Sequence, residues 1–144
     1  MGLAASSVHI DPANLPCRYG ASKLMPLPFA AAVARVDQAL HAAGLNIAFR
    51  HDLSTQLAAA AGSNYPPYLI WGVARDNDLL SALAVEPQLG LLFPCHLIAF
   101  ENHQHQTMVM TVDPAHFMDV LRHPVAIQAA IETKELLEEL LERL

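Results

Sequence analysis

The chain has little of what marks several common functional classes. Of its 144 residues only 8 are Lys or Arg, against 14 Asp or Glu, and its net charge is −6 with neutral histidines. Because neutralising phosphates supplies most nucleic-acid affinity, this balance argues against nucleic acid, and against an anionic membrane surface. Every apolar run is broken before the ~18 residues that cross a bilayer. The sequence predicts a soluble protein with neither kind of partner.

Cysteine is also scarce. Cys17 and Cys95 are too few for a disulfide framework, which makes a cytoplasmic location the simpler expectation. The first ten residues, MGLAASSVHI, lack the basic region that opens a signal peptide. A periplasmic protein whose signal has been cleaved would look the same, so that alternative stays open.

Common catalytic motifs are missing as well. The sequence contains no GxSxG, no Walker loop, no GxGxxG and no HExxH. A nucleophile, a base and an orienting third group therefore cannot be assembled from motifs. This absence favours ligand or cofactor binding over catalysis.

The composition that is present suits one folded domain. Hydrophobic residues make up 53% and charged residues 15%, enough to bury a sizeable core in a chain of this length. We predict an irregular N-terminal arm over residues 1–17 and a single domain over 18–144. The apparent order β-α-β-(α)-β-α-β-β-α-α indicates an α+β fold, with an antiparallel or mixed sheet and helices packed on one side.

Proline, glycine and short polar residues predict where the helices begin and end. Pro28 suits the first position of a helix that stops at Gly44. Asp52 follows a strand and invites a catalytic interpretation, but capping the next helix explains it more simply. Asp76 and Asn77 offer capping oxygens for a further helix.

The strands are predicted from apolar alternation. Leu45, Ile47 and Phe49 alternate with polar or small residues, which indicates a strand with one buried face. The nearly continuous apolar run 68–73 indicates a central strand. Pro94 interrupts a third strand and, because it cannot donate to a ladder, indicates an edge or a bulge.

A C-terminal amphipathic helix closes the predicted domain. Its leucine-rich face either docks on the domain's own sheet or packs against the same helix of a partner, and its acidic face is predicted to be solvated. The apolar positions are Ile127, Ile131, Leu136, Leu137, Leu140, Leu141 and Leu144.

The string from Ile70 to Glu101, IWGVARDNDLLSALAVEPQLGLLFPCHLIAFE, resembles the bacterial and archaeal domain-of-unknown-function family 302. The likeness extends over roughly Arg18 to Leu121. It implies a compact α+β domain, TBP-like in fold, commonly a homodimer and without an established activity. A shared fold would not by itself transfer a function.

Two departures from this family concern possible chemistry. The family often carries Cys-Asn-Pro where this chain has Ala74-Arg75-Asp76, so a pair of cooperating thiols is not expected. It also carries Leu-Pro-Cys-Asn where this chain has Phe-Pro-Cys-His, which places His96 beside Cys95.

Cys95 and His96 are the first candidate site. A nearby imidazolium lowers a thiol pKa, so the pair would suit a thiol-dependent enzyme or a redox accessory protein that uses Cys95. Neighbours in a strand point to opposite faces, however, so His96 reaches Cys95 only if Pro94 forces a bulge. Because free cysteine is among the most buried residues, a core role for Cys95 is the simpler expectation.

A soft-ligand site is the second candidate. Imidazole and thioether groups suit haem iron or a soft transition metal, and His96, His103 and His105 are the candidate metal ligands, with Met108 and Met110 nearby in sequence. Loop histidines are usually only solvated, and a methionine strand is usually core.

These candidates give three hypotheses. The first is a homodimeric small-ligand or cofactor-binding protein, with haem or a soft metal as the possible cofactor and a site formed by Phe93, Cys95 and His96 at the protomer contact. The second is thiol chemistry at Cys95. The third is a purely structural or interaction module.

Overall fold

A computed structural model describes residues 17–117 and 119–144, so all but the last residue of the predicted N-terminal arm lies outside the described residues. In this part of the chain the strands are β1 (Gly20–Met25), β2 (Asn46–Asp52), β3 (Tyr68–Ala74), β4 (Cys95–Glu101) and β5 (Thr107–Val112). The α-helices are α1 (Phe29–Ala42), α2 (Leu53–Ala61), α3 (Asp76–Val85) and α4 (Pro124–Arg143), and short 3₁₀ helices span Pro87–Leu91 and Pro114–Phe117.

The strands form one sheet in the order β1-β5-β4-β3-β2, and every neighbouring pair is antiparallel. The α-helices lie on one side of this sheet. The predicted α+β class, with an antiparallel sheet and helices on one side, is therefore confirmed. Since β1 and β2 are the edges, β3 lies inside the sheet, as its apolar run predicted.

The side of the sheet that faces the helices, called here the inner face, carries the core. Trp71 and Val73 of β3 and Leu97 of β4 are fully buried there. They form one cluster with residues of α1, α3 and α4. Burial of large apolar side chains such as these contributes roughly 1.5–3 kcal/mol each, which makes this layer the main source of stability.

The opposite side of the sheet, called here the open face, is apolar without being part of that core. Its strand positions carry no Asp, Glu, Lys or Arg among the described residues. Tyr68 and Phe100 stack across β3 and β4 with ring centroids 5.8 Å apart. The apolar side chains of this face that lie outside the core cluster are Leu24, Phe49, Tyr68, Ile70, Ala74, Ile98, Phe100, Met108 and Met110.

Helix limits follow the predicted signals closely at α1 and α2. Pro28 is the residue before α1, one position earlier than predicted, and Gly44 follows the helix with a φ of +72°. Gly62 closes α2 with a φ of +69°. Only glycine adopts this left-handed conformation without strain, which explains both stops.

The N-terminus of α3 corrects a prediction. Its capping position is Arg75, whose side chain does not cap the helix, and Asp76 already belongs to the first turn. Arg75 instead binds Asp78 and the Glu132 carboxylate of α4, with Nη2 2.7 Å from Oε2. A contact to a distant helix thus decides the role of this residue, and no local signal reports such a contact.

Helix α4 packs on its own domain, which settles the two alternatives for its apolar face in favour of intramolecular packing. Leu137, Leu140 and Leu141 are buried as predicted, whereas Ile127, Leu136 and Leu144 pack at the margin. Alanines make up much of the rest of the buried side of α4, because small side chains let the helix approach the sheet closely. The buried residues are Ala126, Ala129, Ala130, Thr133, Leu137, Leu140 and Leu141.

Strand β2 also corrects a prediction, since none of its seven residues is buried. The pairing with β3 shifts at Ala48, where Ile47 faces Val73 and Phe49 faces Gly72. Consecutive β3 residues point to opposite faces, so this bulge places Ile47 toward the inner face and Phe49 on the open face. Simple alternation put both on one side.

Pro94 marks neither an edge nor a bulge, contrary to the sequence prediction. It precedes β4, which begins at Cys95 and lies between β3 and β5. The Phe93–Pro94 peptide bond is cis. Since Pro94 stands outside the ladder, its missing N–H costs the sheet nothing.

Across the described ranges, no helix is long and apolar enough to span a membrane.

Candidate functional site

Cys95 and His96 lie on opposite faces of β4. Cys95 pairs with Val73 on the inner face and its side chain is only 1% exposed, whereas His96 pairs with Gly72 on the open face and is exposed. Burial raises the pKa of the Cys95 thiol to about 12. The thiol is therefore protonated at neutral pH, and His96 does not reach it.

His96 instead borders a cavity of about 450 Å³ at one end of the open face. This volume is within the range of small-molecule sites, roughly 300–1,000 Å³. The 3₁₀ helix before β4 supplies one wall, including Leu91, which is 88% exposed. This His96 cavity is lined by Phe49, Gly90, Leu91, Leu92, Phe93, Pro94, His96 and Val112.

The cavity brings together two of the three residues predicted to bind a cofactor. Phe93 and His96 both line the cavity, while Cys95, the third predicted cofactor-binding residue, faces the core. Thr111 of β5 pairs with Leu97 of β4. The next residue, Val112, therefore lies opposite His96 and reaches the cavity. One imidazole and a largely apolar wall are thus available to a ligand.

Phe49 and Gly72 shape the cavity, and the sequence analysis named neither as a candidate site residue. The Phe49 ring lies over Gly72 and meets the His96 ring edge-on, with centroids 5.8 Å apart and planes at 84°. The absence of a side chain at position 72 creates the space that the ring occupies. A glycine inside an otherwise apolar strand was the available signal, since it often marks close approach of another group.

The predicted metal ligands His103 and His105 lie far from His96. They occupy the loop after β4, where Asn102 accepts hydrogen bonds from the backbone N–H groups of Gln104 and Gln106. Strand β4 separates this loop from His96. Five residues of extended chain, from His96 to the end of β4, span about 17 Å. In residues 17–117 and 119–144, no three His, Cys, Asp or Glu side chains come together where they could hold a metal ion.

Asp52 is a helix cap, as the simpler interpretation predicted. Its carboxylate accepts hydrogen bonds from the Ser54 hydroxyl, from the Thr55 hydroxyl at 2.9 Å and from the Thr55 backbone N–H at 3.3 Å. These donors, first the Ser54 hydroxyl and then that of Thr55, lower the pKa of Asp52. Its ionised form thus stabilises the start of α2.

The fold and the cavity define a small α+β domain whose antiparallel sheet is covered by helices on one side, in the part of the chain that the structure describes. The model of the family described as "Domain of unknown function DUF302" matches residues 21–144, and the chain belongs to this family. The predicted resemblance is confirmed, and the match extends beyond Leu121 through α4. A search of curated proteins finds no match.

One solved structure is similar over most of its length. It is the uncharacterized conserved DUF302 protein from Bacillus stearothermophilus, which is 16% identical to this chain. The alignment covers 88% of this chain and 98% of that one, with a TM-score of 0.76. At this identity the likeness establishes the shared fold.

Proposed function

We propose that the chain binds a small, largely apolar ligand or cofactor in the His96 cavity and acts as a homodimer joined through the open face. The observation that carries this proposal is an exposed imidazole at the rim of an apolar cavity of about 450 Å³. A few polar groups in an apolar pocket are the usual composition of a ligand site. The apolar wall binds the ligand body, and His96 fixes its orientation.

His96 also determines which cofactors suit the cavity. An imidazole is a ligand for haem iron and for soft transition metals. With one imidazole in the cavity, His96 would bind the iron of such a cofactor, and Phe49, Leu91 and Phe93 would supply apolar contacts to its body. A haem-like cofactor fits this arrangement better than a bare metal ion, which needs several protein ligands.

The open face supports the homodimer. Its described strand positions carry no Asp, Glu, Lys or Arg, and the sheet that forms it has five strands. Strands spaced about 4.8 Å apart, with six residues rising about 3.3 Å each, span a plane of roughly 480 Å² before side-chain relief is counted. A standard interface buries about 800 Å² of accessible surface per partner. Each open face would thus supply more than half of that area as a flat plane, and packing two of them together would place the His96 cavity at the protomer contact.

Thiol chemistry at Cys95 receives less support from the structure. A buried thiol with a raised pKa is neither accessible nor ionised, and a reactive cysteine needs both properties. A purely structural module remains the other alternative, and it predicts that the His96 cavity takes no ligand.

Haem titration followed by absorption spectroscopy tests the cofactor form of the proposal. We expect a saturable change in the haem spectrum on adding the native protein, and loss of that change in His96→Ala. The matched control is His41→Ala, which removes an exposed imidazole from the last turn of α1. Equal spectra for the His96→Ala and native proteins would exclude His96 as the iron ligand.

A fragment titration tests the broader form. Small aromatic and heteroaromatic compounds would be added while the ring resonances of Phe49 and His96 are followed by NMR. We expect saturable shifts of both rings with at least one compound. If neither haem nor any fragment produces a saturable response, the ligand-binding function is wrong and the structural module is favoured.

A further inference from the structure

A second groove lies on the other side of the sheet, between α1 and the exposed inner side of β2. Its volume is about 650 Å³, and Val33 and Leu69, both nearly buried, form its floor. It exists because α1 covers the sheet next to β2 and leaves the edge strand bare. This α1–β2 groove is lined by Phe29, Ala30, Val33, Ala34, Asp37, Arg50, Asp52, Ser54, Pro67 and Leu69.

Three side chains connect the core to this groove. The indole N–H of fully buried Trp71 donates to Oδ1 of Asp37 at 2.8 Å. The other carboxylate oxygen of Asp37 lies 3.1 Å from Nη1 of Arg50. The Arg50 guanidinium is thus held at the groove by a carboxylate that is itself fixed by the core, which makes Asp37 a positioning residue.

Hydrogen-bonding capacity within the groove remains mainly on Arg50. Both carboxylate oxygens of Asp37 have donors, and both oxygens of Asp52 accept from the first turn of α2. A guanidinium has five N–H donors, and in the described part of the chain the contacts of Arg50 use one of them. Its planar fork matches a carboxylate or a phosphate. Because Asp37 and Asp52 also line the groove, a singly charged carboxylate is repelled less than a doubly charged phosphate.

We infer that the α1–β2 groove is a second binding site, for a small acid whose carboxylate binds Arg50 and whose apolar body lies on Phe29, Val33 and Leu69. The site is independent of the His96 cavity, which lies on the opposite face of the sheet. Its ligand class follows from the N–H donors of Arg50 that Asp37 leaves available beside an apolar floor.

Asp52 opposes this ligand and supplies a sharp test. It stands two residues from Arg50 on the same side of β2, at a distance of about 7 Å, and its lowered pKa keeps it charged. Its charge repels an anion at Arg50. Asparagine caps a helix about as well as aspartate, so Asp52→Asn removes the charge while it keeps α2 in place.

The experiment is an NMR titration of the full chain with octanoate, 3-phenylpropionate and 1-naphthoate. The indole N–H signal of Trp71 and the Nε–H signal of Arg50 are followed. Octanamide and octylamine serve as uncharged and cationic probes. We expect saturable binding of at least one acid, binding of octanamide at least tenfold weaker than that of octanoate if octanoate binds, and no saturable binding of octylamine.

The variants separate an Arg50 site from non-specific apolar binding. Arg50→Gln should weaken the best acid at least tenfold, and Asp52→Asn should strengthen it severalfold. Arg122→Gln, an exposed substitution of the same kind, is the matched control and should leave binding unchanged. Thermal unfolding of each variant verifies that it is folded.

Three outcomes would overturn the inference. The first is that none of the three acids binds the native protein saturably. The second is that Arg50→Gln binds the acids as tightly as the native protein does. The third is that the native protein binds octylamine more tightly than any acid and that Asp52→Asn weakens the binding of the amine. This result would make the groove a cation site.

Discussion

The Phe49 ring occupies the space that a side chain at position 72 would need. An ideal Cβ on Gly72 would lie 2.2 Å from Cε1 of Phe49 and 2.5 Å from its Cζ. The two residues face each other across β2 and β3, and the ring continues from there to the edge of His96. The shape of the His96 cavity therefore depends on the absence of one methyl group.

The substitution Gly72→Ala should displace the Phe49 ring. We expect a loss of about 1 kcal/mol or less in the free energy of unfolding, below the usual cost in a packed core, because the ring that must move belongs to an exposed side chain. In the Phe49→Ala background the same substitution should cost less, with a coupling energy of at least about 0.5 kcal/mol. Urea unfolding of the four proteins of this cycle measures the coupling, and additive costs would mean that the two residues do not compete for space.

A lysine on the open face should prevent dimer formation. Ile98 lies near the middle of this face, on β4, where a partner would bury it. Ile98→Lys should therefore give a monomer in sedimentation experiments at concentrations where the native protein is a dimer, with secondary structure retained. Gln38 is exposed on α1, so Gln38→Lys adds the same charge away from the open face and should remain dimeric. A native protein that sediments as a monomer at high concentration would contradict the proposed homodimer.

The two cysteines should differ in their reactivity. Cys17 is half-exposed and Cys95 is buried, so a thiol reagent at pH 8 should modify one site rapidly in the native protein and both in urea. Cys17→Ser should abolish the rapid phase, and Cys95→Ala should preserve it. Rapid modification of Cys95 would show that its inner-face position is open to solvent.

Cys95 should also make the domain less stable at alkaline pH. Its pKa is raised from 9.0 to about 12 by burial, so above pH 9 the unfolded chain loses a proton that the folded chain keeps. The stabilising effect is complete below pH 9 and is lost as the pH rises toward 12, by up to about 1.4 kcal/mol per pH unit. Comparing the unfolding free energies of the native protein and Cys95→Ala between pH 8 and 10 isolates this contribution. Parallel pH profiles would contradict it.

Asp37 should be required as a hydrogen-bond acceptor in the core. Asp37→Ala leaves the indole N–H of buried Trp71 without its partner, which should cost about 1–3 kcal/mol of unfolding free energy. Asp37→Asn keeps an acceptor and should cost clearly less. Arg50→Ala removes only the exposed ion pair, worth about 1 kcal/mol or less. Equal losses in the alanine and asparagine variants would mean that the charge of Asp37, and not the indole bond, matters.

Local signals predicted much of the fold. Pro28, Gly44 and Gly62 act on their own backbone, so the sequence showed where α1 and α2 begin or end. Strand alternation also anticipated that Cys95 and His96 would point apart. The family resemblance added the fold and was confirmed by the match over residues 21–144.

The failures all involve pairing between distant segments. The bulge at Ala48 is visible only once β2 is aligned with β3, so the opposite placement of Ile47 and Phe49 could not be predicted from alternation. The place of Pro94 outside the ladder depends on where β4 meets its neighbours. Neither the contact of Phe49 with His96 nor that of Trp71 with Asp37 has any local signature, because 47 and 34 positions separate the partners.

The bulge at Ala48 has a further consequence for how the molecule behaves in a crowded solution. β2 is an edge strand, and its outer side presents N–H and C=O groups that another chain could pair with. The extra residue bends the strand and interrupts the regular spacing of those groups. A strand from another molecule could therefore not form a regular hydrogen-bond ladder along β2. The bulge at Ala48 thus makes the β2 edge of the sheet a poor site for strand addition.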